Sequence, residues 1–352
     1  MAVAVEAHFR AAVEGIVITR YGHGLPTKHI TVVEAGHPVP DEAGEHAARE
    51  ILQQVKKLKE DDLLLVLVSG GGSSLLSLPA PGVSMVELKK LTTQLLKSGA
   101  DIQEINTVRK HLSAIAGGRL AAASRAPVVA LIISDVTGDD PTHIASGPCA
   151  ADPTTVDDAK AVLAKYRIGF GGPFSESPKS GKAQNKVIAT GYRSLEAAAA
   201  VFQKRNIKPV ILGDTITGEA REVGREMARL ARQTQGPAAL ISGGECTVTI
   251  KDSKENEGGR GGRCTEFLLS LGIETGGIWA IAADTDGIDG TEDNAGALLS
   301  PDSLQKASRM NLRAENLLAK HDSYRFFSAL GDLVVTGPTR TNVNDYRAIL
   351  IP

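Results

Sequence analysis

The stretch Leu63-Leu64-Leu65-Val66-Leu67-Val68-Ser69-Gly70-Gly71-Gly72-Ser73-Ser74 places an apolar run directly before three glycines flanked by serines. A short apolar run indicates a buried strand, and successive glycines let backbone amides approach an anion at the end of that strand. Open α/β sheets bind ligands at the carboxyl ends of their strands. In preference to a simple flexible turn, we therefore predict a phosphate-binding loop formed by Ser69, Gly70, Gly71, Gly72 and Ser73.

The same pattern recurs along the chain, because short apolar runs alternate with segments of helical periodicity. This alternation is typical of βα units and of a mostly parallel sheet covered on both faces. The apolar runs predict strands at 16–19, 30–33, 63–68, 128–133, 187–190 and 210–212. Helices are predicted after the N-cap Asp41, over 85–96 and over 217–233.

The length of 352 residues exceeds the usual size of one hydrophobic core, so two domains are expected. After Gln233 the strand candidates become closely spaced, at 239–242, 247–250 and 278–283, with a helix from Thr265. We predict an α/β protein with an N-terminal doubly wound, Rossmann-like domain over residues 1–235 and a smaller C-terminal α/β domain over 236–352. The first residues lack a strand, so the N-terminal domain is expected to be without its opening strand.

Composition excludes several classes of protein. Hydrophobic residues make up 42% and charged residues 23%, which is typical of a globular protein. The formal net charge of -2 provides no field that would attract nucleic acid or an anionic membrane. The three cysteines are an odd number without metal-binding spacing, and no apolar run approaches the length of a membrane span. These features predict a cytoplasmic protein.

Acidic residues follow two further predicted strands. Asp135 comes directly after the run 128–133, where a carboxylate can hold Mg²⁺ against the phosphates of a nucleotide. Asp139 and Asp140 precede Pro141, a position typical of turn capping.

The segment ADTDGIDG begins at the end of the run 278–283 and superficially resembles a calcium loop. An EF-hand is excluded because Ala295 stands where the twelfth position requires glutamate. We predict Asp284 as a metal ligand, and either Asp286 or Asp289 as the group that positions a substrate hydroxyl or accepts its proton. Turn capping is the alternative for one or two of these residues.

Glycine-rich motifs also mark the C-terminal part of the chain. The sequence SGGE follows a predicted strand and predicts ligand binding by Gly243, Gly244 and Glu245. The run GGRGGR, from Gly258 to Arg263, precedes a helix, where a guanidinium suits a transferring phosphoryl group. A disordered RNA-binding tail is the alternative, and the helix that follows argues against it.

Two polar segments complete the candidate residues. Lys110 lies in NTVRKHLS among other basic residues that could clamp a phosphate or carboxylate, although a solvated helix face has the same appearance. The loop TGPTRTNVND offers Asn342 and Asn344 as neutral groups that orient a ligand.

Taken in order, SGGGSSL, NTVRKHLS, SDVTGDDPTHIASGP, ISGGECTV, GRGGR, ADTDGIDG and TGPTRTNVND resemble the class II glycerate kinases, whose C-terminal part is a MOFRL-type domain. The resemblance implies two α/β domains that use ATP and Mg²⁺ to phosphorylate the 2-hydroxyl of D-glycerate, giving 2-phosphoglycerate. It places the active-site arginine of the family on Arg263, followed here by Cys264 and Thr265 where the family has Asn and Gln. The implied partners are D-glycerate and ATP. The balanced charge predicts no nucleic-acid and no membrane partner, and a homodimer stays open as the assembly.

Two alternatives stay open at this point. Such proteins usually carry an upstream Gly-Lys-Ala loop with a catalytic lysine, and this sequence begins just after it, which predicts a catalytically impaired protein that binds a nucleotide or a hydroxy acid. Some relatives are called hydroxypyruvate reductases, but a nicotinamide site requires GxGxxG after the first strand, and the sequence has no such arrangement there.

Overall fold

The computed structural model of the chain describes residues 1–9, 13–250 and 259–352. These residues form two compact units, Met1–Ile188 and Ala189–Pro352. Each unit combines helices with β-sheet, which confirms the predicted two-domain α/β organisation. No helix within the described ranges is both long enough and apolar enough to cross a membrane.

The first unit alternates strands and helices, as its apolar pattern predicts. Its elements are α1 (Ala2–His8), β1 (Gly15–Arg20), β2 (Ile30–Ala35), α2 (Glu42–Lys57), β3 (Leu64–Val68), α3 (Gly72–Leu75), α4 (Met85–Lys97), α5 (Ile102–His111), α6 (Arg119–Ala122), β4 (Val128–Ile133), α7 (Val156–Lys165) and β5 (Gln184–Ala189). β1 pairs in parallel with β2, and β3 pairs in parallel with β4. The second of these sheets has the order β3-β4-β5.

Local side-chain chemistry sets where these helices begin. The carboxylate of Asp41 accepts a hydrogen bond from the Gly44 amide, which confirms the predicted N-cap of α2. Ser84 and Glu87 form a capping box at the start of α4. Apolar clusters then join the elements, one around β3 and β4 and another between α4 and α5. Burial of these apolar side chains is the main stabilising contribution of the unit.

The second unit is built on a mixed sheet. Its elements are α8 (Gly191–Gln203), β6 (Lys208–Gly213), β7 (Gly218–Glu219), α9 (Ala220–Gln233), β8 (Ala238–Gly244), β9 (Cys246–Thr247), α10 (Arg263–Thr275), β10 (Trp279–Asp284), β11 (Gly296–Leu299), α11 (Ser303–Arg309), α12 (Ala314–Ala319), α13 (Ser323–Leu330), β12 (Leu333–Val334) and β13 (Asp345–Ile351). The six-stranded sheet has the order β12-β11-β10-β13-β8-β6. Only β6 and β8 run in parallel, since the other four pairings are antiparallel.

The antiparallel position of β13 decides where functional residues meet. β13 lies between β8 and β10, with Asp345 opposite Gly244 on one side and opposite Asp284 on the other. The carboxyl ends of β8 and β10 therefore lie at the same edge of the sheet as the start of β13.

α10 is the central helix of the second unit. Residues 264–272 are buried, so this helix is enclosed on every side rather than amphipathic. Gly224 of α9 allows the close approach, because a Cβ there would lie 2.6 Å from the carbonyl oxygen of Phe267. The first residue of this buried helix is Arg263.

Two boundaries differ from the sequence-based predictions. The division between the units falls after Ile188, whereas the sequence placed it near residue 236. The reason is that β6 pairs with β8, and Leu195 of α8 packs against Ile241 of that same sheet. The predicted strand at 247–250 is also shorter, since β9 ends at Thr247.

Candidate active site

Arg263 is the centre of a cluster of carboxylates in the second unit. Its Nε donates to Asp345 Oδ1 at 2.8 Å, and its Nη2 donates to Asp284 Oδ2 at 2.6 Å. Its Nη1 lies 3.1 Å from Glu245 Oε1. The three carboxylates come from the start of β13, the end of β10 and the turn after β8, which meet at one edge of the sheet.

This environment keeps Arg263 charged and partly open. Burial opposes the charge, but the carboxylates of Asp345, Asp284 and Glu245 outweigh burial and raise the pKa of the guanidinium above its ordinary value. The side chain is 22% exposed. A guanidinium has five N–H groups, so its two terminal nitrogens keep donors beyond those directed at the carboxylates.

Asp284 is the buried carboxyl group at the end of β10. Burial raises its pKa to about 7, although the neighbouring charge of Arg263 acts in the opposite direction. Its Oδ1 accepts a hydrogen bond from the backbone amide of Asp286 at 3.0 Å. Both oxygens of Asp284 are therefore engaged within the protein.

Asp289 holds the start of α10. Its carboxylate is occupied there, so it is not placed to contact a substrate as the sequence predicted. Its carboxylate accepts hydrogen bonds from the backbone amides of Cys264 and Thr265, both at 2.9 Å, and from the Thr265 hydroxyl at 2.8 Å. Its side chain is fully buried. Asp289 thus satisfies amides that a helix start leaves without partners. Thr265, which stands where the family has Gln, belongs to the same structural contact.

The glycines near Arg263 are required by packing within the protein. A Cβ at residue 262 would lie 2.2 Å from Asp289 Oδ1, and one at residue 261 would lie 2.3 Å from Ser323 Oγ. Gly261 and Gly262 therefore allow neighbouring side chains to approach the backbone closely. Gly258, the first residue of the predicted motif, lies outside the described residues.

Gly243 and Gly244 form the turn that carries Glu245. Gly244 has φ +112, and a Cβ there would lie 2.2 Å from the carbonyl oxygen of Ile216. The side chain of Glu245 is 54% exposed and is the most open of the three carboxylates around Arg263.

Asp286, Asn342 and Asn344 lie in two loops that contact each other. The carbonyl oxygen of Asp286 accepts a hydrogen bond from the Thr339 amide at 3.0 Å, and the Asp286 carboxylate caps its own turn by accepting from the Ile288 amide at 2.8 Å. Asn342 Oδ1 accepts from the amide of Asn344, which has φ +65. The structure brings these predicted residues to the edge of the sheet that carries Asp284.

Sequence reasoning missed Arg347 and the particular role of Asp345. Arg347 is fully buried, and its Nη2 donates to Asp345 Oδ2 at 2.6 Å. A signal was present, because positions 345 and 347 are two apart in an otherwise apolar strand and therefore lie on the same face of it.

In the first unit the structure brings together the glycine loop and Asp135. β3 and β4 are parallel neighbours, with Val68 opposite Ile132, so the residues that follow them share one edge of the sheet. A Cβ at Gly70 would lie 2.2 Å from Asp135 Oδ2, so the carboxylate lies against the backbone of the loop. This placement agrees with the predicted ligand-binding end of the strands.

The remainder of the loop is held by its own contacts. Gly71 has φ +80, and a Cβ there would lie 2.9 Å from the ring of His37. Ser69 directly follows β3, and the Ser73 hydroxyl lies 2.8 Å from the hydroxyl of Ser146.

Lys110 is placed differently from its prediction as an anion-binding group. Its Nζ donates to Asp152 Oδ1 at 2.7 Å, and the side chain is 1% exposed. The Lys110 charge contributes to lowering the pKa of Asp152 to about 2, although burial opposes the ionised form of that carboxyl group. We therefore assign Lys110 a structural role.

Two protein families match separate parts of the chain. Residues 1–172 match the family described as "Domain of unknown function (DUF4147)", and residues 238–345 match the MOFRL family. The MOFRL match begins close to the predicted boundary at 236, although the compact unit that contains it begins earlier.

The relatives carry two kinds of name. A protein of Agrobacterium vitis, provisionally named a hydroxypyruvate reductase, is 50% identical over 100% of this chain and 84% of its own length. The glycerate 2-kinase of Pyrococcus horikoshii is 40% identical over 94% of this chain and 80% of its own length. The crystal structure of a glycerate kinase from Thermotoga maritima matches with a TM-score of 0.88 and 40% identity, over 96% of this chain and 85% of that one.

These matches define a class of α/β protein in which a DUF4147 segment precedes a MOFRL segment. The sequence identities and the structural match identify the family within this class. It belongs to the class II glycerate kinase family.

Proposed function

We propose that the protein transfers the γ-phosphate of ATP to the 2-hydroxyl of D-glycerate and produces 2-phosphoglycerate. The relatives named glycerate 2-kinase or glycerate kinase support this reaction, whereas the relative named as a hydroxypyruvate reductase does not. The observation that carries it is the cluster around Arg263, in which a partly open guanidinium is held at a sheet edge by three carboxylates. Phosphoryl transfer requires little covalent work by the protein and depends on positioning and on neutralising charge, which such a guanidinium provides.

Arg263 is the residue that we propose contacts the transferring phosphoryl group. Asp345 and Asp284 fix the direction of its Nε and one terminal nitrogen, so the guanidinium does not have to be ordered when the ligand arrives. Glu245 lies on the open side of the cluster and is proposed to contact the ligand, whereas Gly243 and Gly244 are buried at the end of β8 and support the turn that carries it.

The glycine loop of the first unit is proposed to hold phosphates of the nucleotide. The loop follows β3 at the carboxyl end of that strand, where open α/β sheets bind ligands, and the hydroxyls of Ser69 and Ser73 add possible hydrogen-bond donors. A hydroxypyruvate reductase would require a GxGxxG motif after the first strand, and the sequence has none there. The glycine loop therefore suits a nucleoside triphosphate better than a nicotinamide cofactor.

Mg²⁺ would neutralise charge on the phosphates of ATP during transfer. Among the described residues, no group of three or more His, Cys, Asp or Glu side chains could hold a metal ion by itself. A nucleotide-bound Mg²⁺ needs only one or two carboxylates from the protein, and Asp135 fits this requirement beside the glycine loop. Asp284 fits less well as a metal ligand, because both of its oxygens already have partners.

The substrate hydroxyl must lose a proton during transfer. We propose Asp286 as the residue that positions this hydroxyl, with Asn342 and Asn344 orienting the rest of the hydroxy acid. Asp284, whose pKa is raised to about 7 by burial, is suited to exchange a proton near neutral pH. Asp289 is left out of the reaction because its carboxylate holds the start of α10.

Purified protein with ATP, Mg²⁺ and D-glycerate tests the proposal. ADP release together with formation of 2-phosphoglycerate, and not 3-phosphoglycerate, is the expected result. NADH with hydroxypyruvate is the parallel reaction, and oxidation of NADH there without ADP release in the kinase assay would overturn the proposal. Binding of ATP and glycerate without turnover would also contradict it.

A further inference from the structure

Arg347 is a charged residue buried in the interior of the second unit. Its side chain is 1% exposed and is among the largest fully buried side chains of the described residues. It lies in the middle of the sheet, where its register partners are Ser242 of β8 and Ala282 of β10. Burying a guanidinium removes its hydration, which is costly unless neighbouring groups replace the lost contacts.

Arg347 contacts residues that hold or flank the carboxylates around Arg263. Its Nη2 donates to Asp345 Oδ2 at 2.6 Å and lies 3.1 Å from the sulfur of Cys246. Its Nη1 donates to the carbonyl oxygen of Gly243 at 3.3 Å. Gly243 and Cys246 flank the turn that carries Glu245, so Arg347 contacts both ends of that turn.

Asp345 connects the two arginines. One carboxylate oxygen accepts from Arg263 Nε at 2.8 Å, and the other accepts from Arg347 Nη2 at 2.6 Å. Because each oxygen has its own cation, the plane of the carboxylate is fixed. Because Arg263 Nε donates to this carboxylate, the direction in which the Arg263 side chain projects from α10 is fixed as well.

The core does not satisfy Arg347 completely. Its Nε is buried and has no hydrogen-bond partner among the described residues. Its guanidinium lies 5.2 Å from the centroid of the Phe267 ring, a contact that only partly replaces water. An apolar side chain of similar volume would fill this place at lower cost. The buried charge is therefore better explained by its contacts with Asp345 and with the turn that carries Glu245 than by a contribution to core stability.

We propose that Arg347 is a positioning residue that sets the direction of Arg263 through Asp345 and holds the turn bearing Glu245. The inference rests on the proposed function, in which Arg263 contacts the transferring phosphoryl group. Without Arg347, both oxygens of Asp345 become available to Arg263, and the guanidinium turns toward the sheet and away from the ligand.

Kinetics of matched variants test this role. R347M is expected to lower kcat by about tenfold or more while changing the KM for glycerate by less than about threefold, since a misdirected Arg263 loses contacts that strengthen in the transition state. R347K is expected to recover part of kcat, because it keeps the charge but not the planar fork. R221M removes a different arginine contact to α10, the pair with Glu266, and is expected to keep kcat within about twofold.

The path through Asp345 is tested by a double-mutant cycle. If Arg347 acts through Asp345, R347M lowers kcat in the wild-type background but has little further effect in D345N. Independent, multiplicative effects of the two substitutions would overturn the proposed path.

A second readout does not depend on kinase activity. Phenylglyoxal modifies accessible guanidinium groups, and mass spectrometry of the full-length chain measures the rate at Arg263. This rate is expected to fall severalfold in R347M, because the guanidinium turns toward the sheet, and to stay unchanged in R221M. An unchanged rate in R347M would contradict the inference even if the wild type proved not to be a glycerate kinase. Should R347M fail to fold, R347K carries both measurements.

Discussion

Lys110 and Arg263 are both basic residues that the sequence predicts to bind an anion, yet their surroundings in the structure differ. Lys110 is 1% exposed and pairs with the buried carboxylate of Asp152. Arg263 is 22% exposed and contacts three carboxylates. The Lys110 pair is closed to ligands, whereas the Arg263 cluster is ordered but still reaches solvent.

Charge and local motif therefore do not by themselves identify an anion-binding residue. A cation can bind a ligand only if its partners leave donors directed at solvent. The ammonium of Lys110 forms a buried ion pair with Asp152, and such a pair has mainly a structural role. Arg263 keeps free N–H groups because a planar guanidinium can serve several partners at once.

The largest effect is expected from R263M. Loss of the guanidinium should lower kcat by roughly 10³-fold, the scale associated with removing one donor to a developing charge. R263K, which keeps a point charge, is the matched control and should retain more activity than R263M. Steady-state kinetics with ATP and D-glycerate measure both variants, and an R263M enzyme with more than a tenth of wild-type kcat would remove Arg263 from the proposed role.

K110M should affect stability more than chemistry. Leaving Asp152 buried without its partner is expected to lower the free energy of unfolding by about 3 kcal/mol. The double variant K110M/D152N should recover part of this loss, because the unpaired charge is gone. Urea denaturation measures the effect. A stable K110M protein with weakened ATP binding would instead restore the prediction that Lys110 binds an anion.

D284N is expected to change how the stability of the protein depends on pH. The folded-state pKa of Asp284 is raised to about 7 from an ordinary value of 3.8, so between these values the folded protein binds the proton and the unfolded chain does not. The contribution of Asp284 to stability is therefore lost as pH rises from about 4 through 7.

The free energy of unfolding of the wild type should fall by roughly 2 kcal/mol more than that of D284N when the pH is raised from 5 to 8. Urea denaturation at the two pH values tests this, with the exposed variant E222Q as the control. A difference between D284N and the wild type that is the same at both pH values would contradict the raised pKa.

G70A is expected to have the smallest effect. The added Cβ would lie 2.2 Å from Asp135 Oδ2 and must displace that carboxylate. We expect the KM for ATP to rise by about tenfold, which corresponds to about 1.4 kcal/mol. G169A, where a Cβ meets nothing within 4 Å, is the matched control. Equal KM values in the two variants would separate the glycine loop from nucleotide binding.

Much of the fold could be predicted from sequence because periodicity and capping act locally. Asp41 caps α2 as expected, and the apolar runs at 63–68 and 128–133 form β3 and β4. The contact between Gly70 and Asp135 also follows, since parallel neighbouring strands end at the same edge. The unit boundary was not predictable in this way, because it depends on β6 pairing with β8 across an intervening helix.

The sequence alone was enough to predict the alternation of strands and helices and the glycine loop near Asp135, and it named Arg263 and Asp284 as candidate site residues. The tertiary structure decided which charged residues are closed and which are open: it placed Lys110 in a buried pair, gave Asp289 to the start of α10, and joined Arg347 to Arg263 through Asp345. These outcomes depend on partners far apart in the chain. Distances between such partners are set by strand register and helix packing, which a local pattern of residues does not contain.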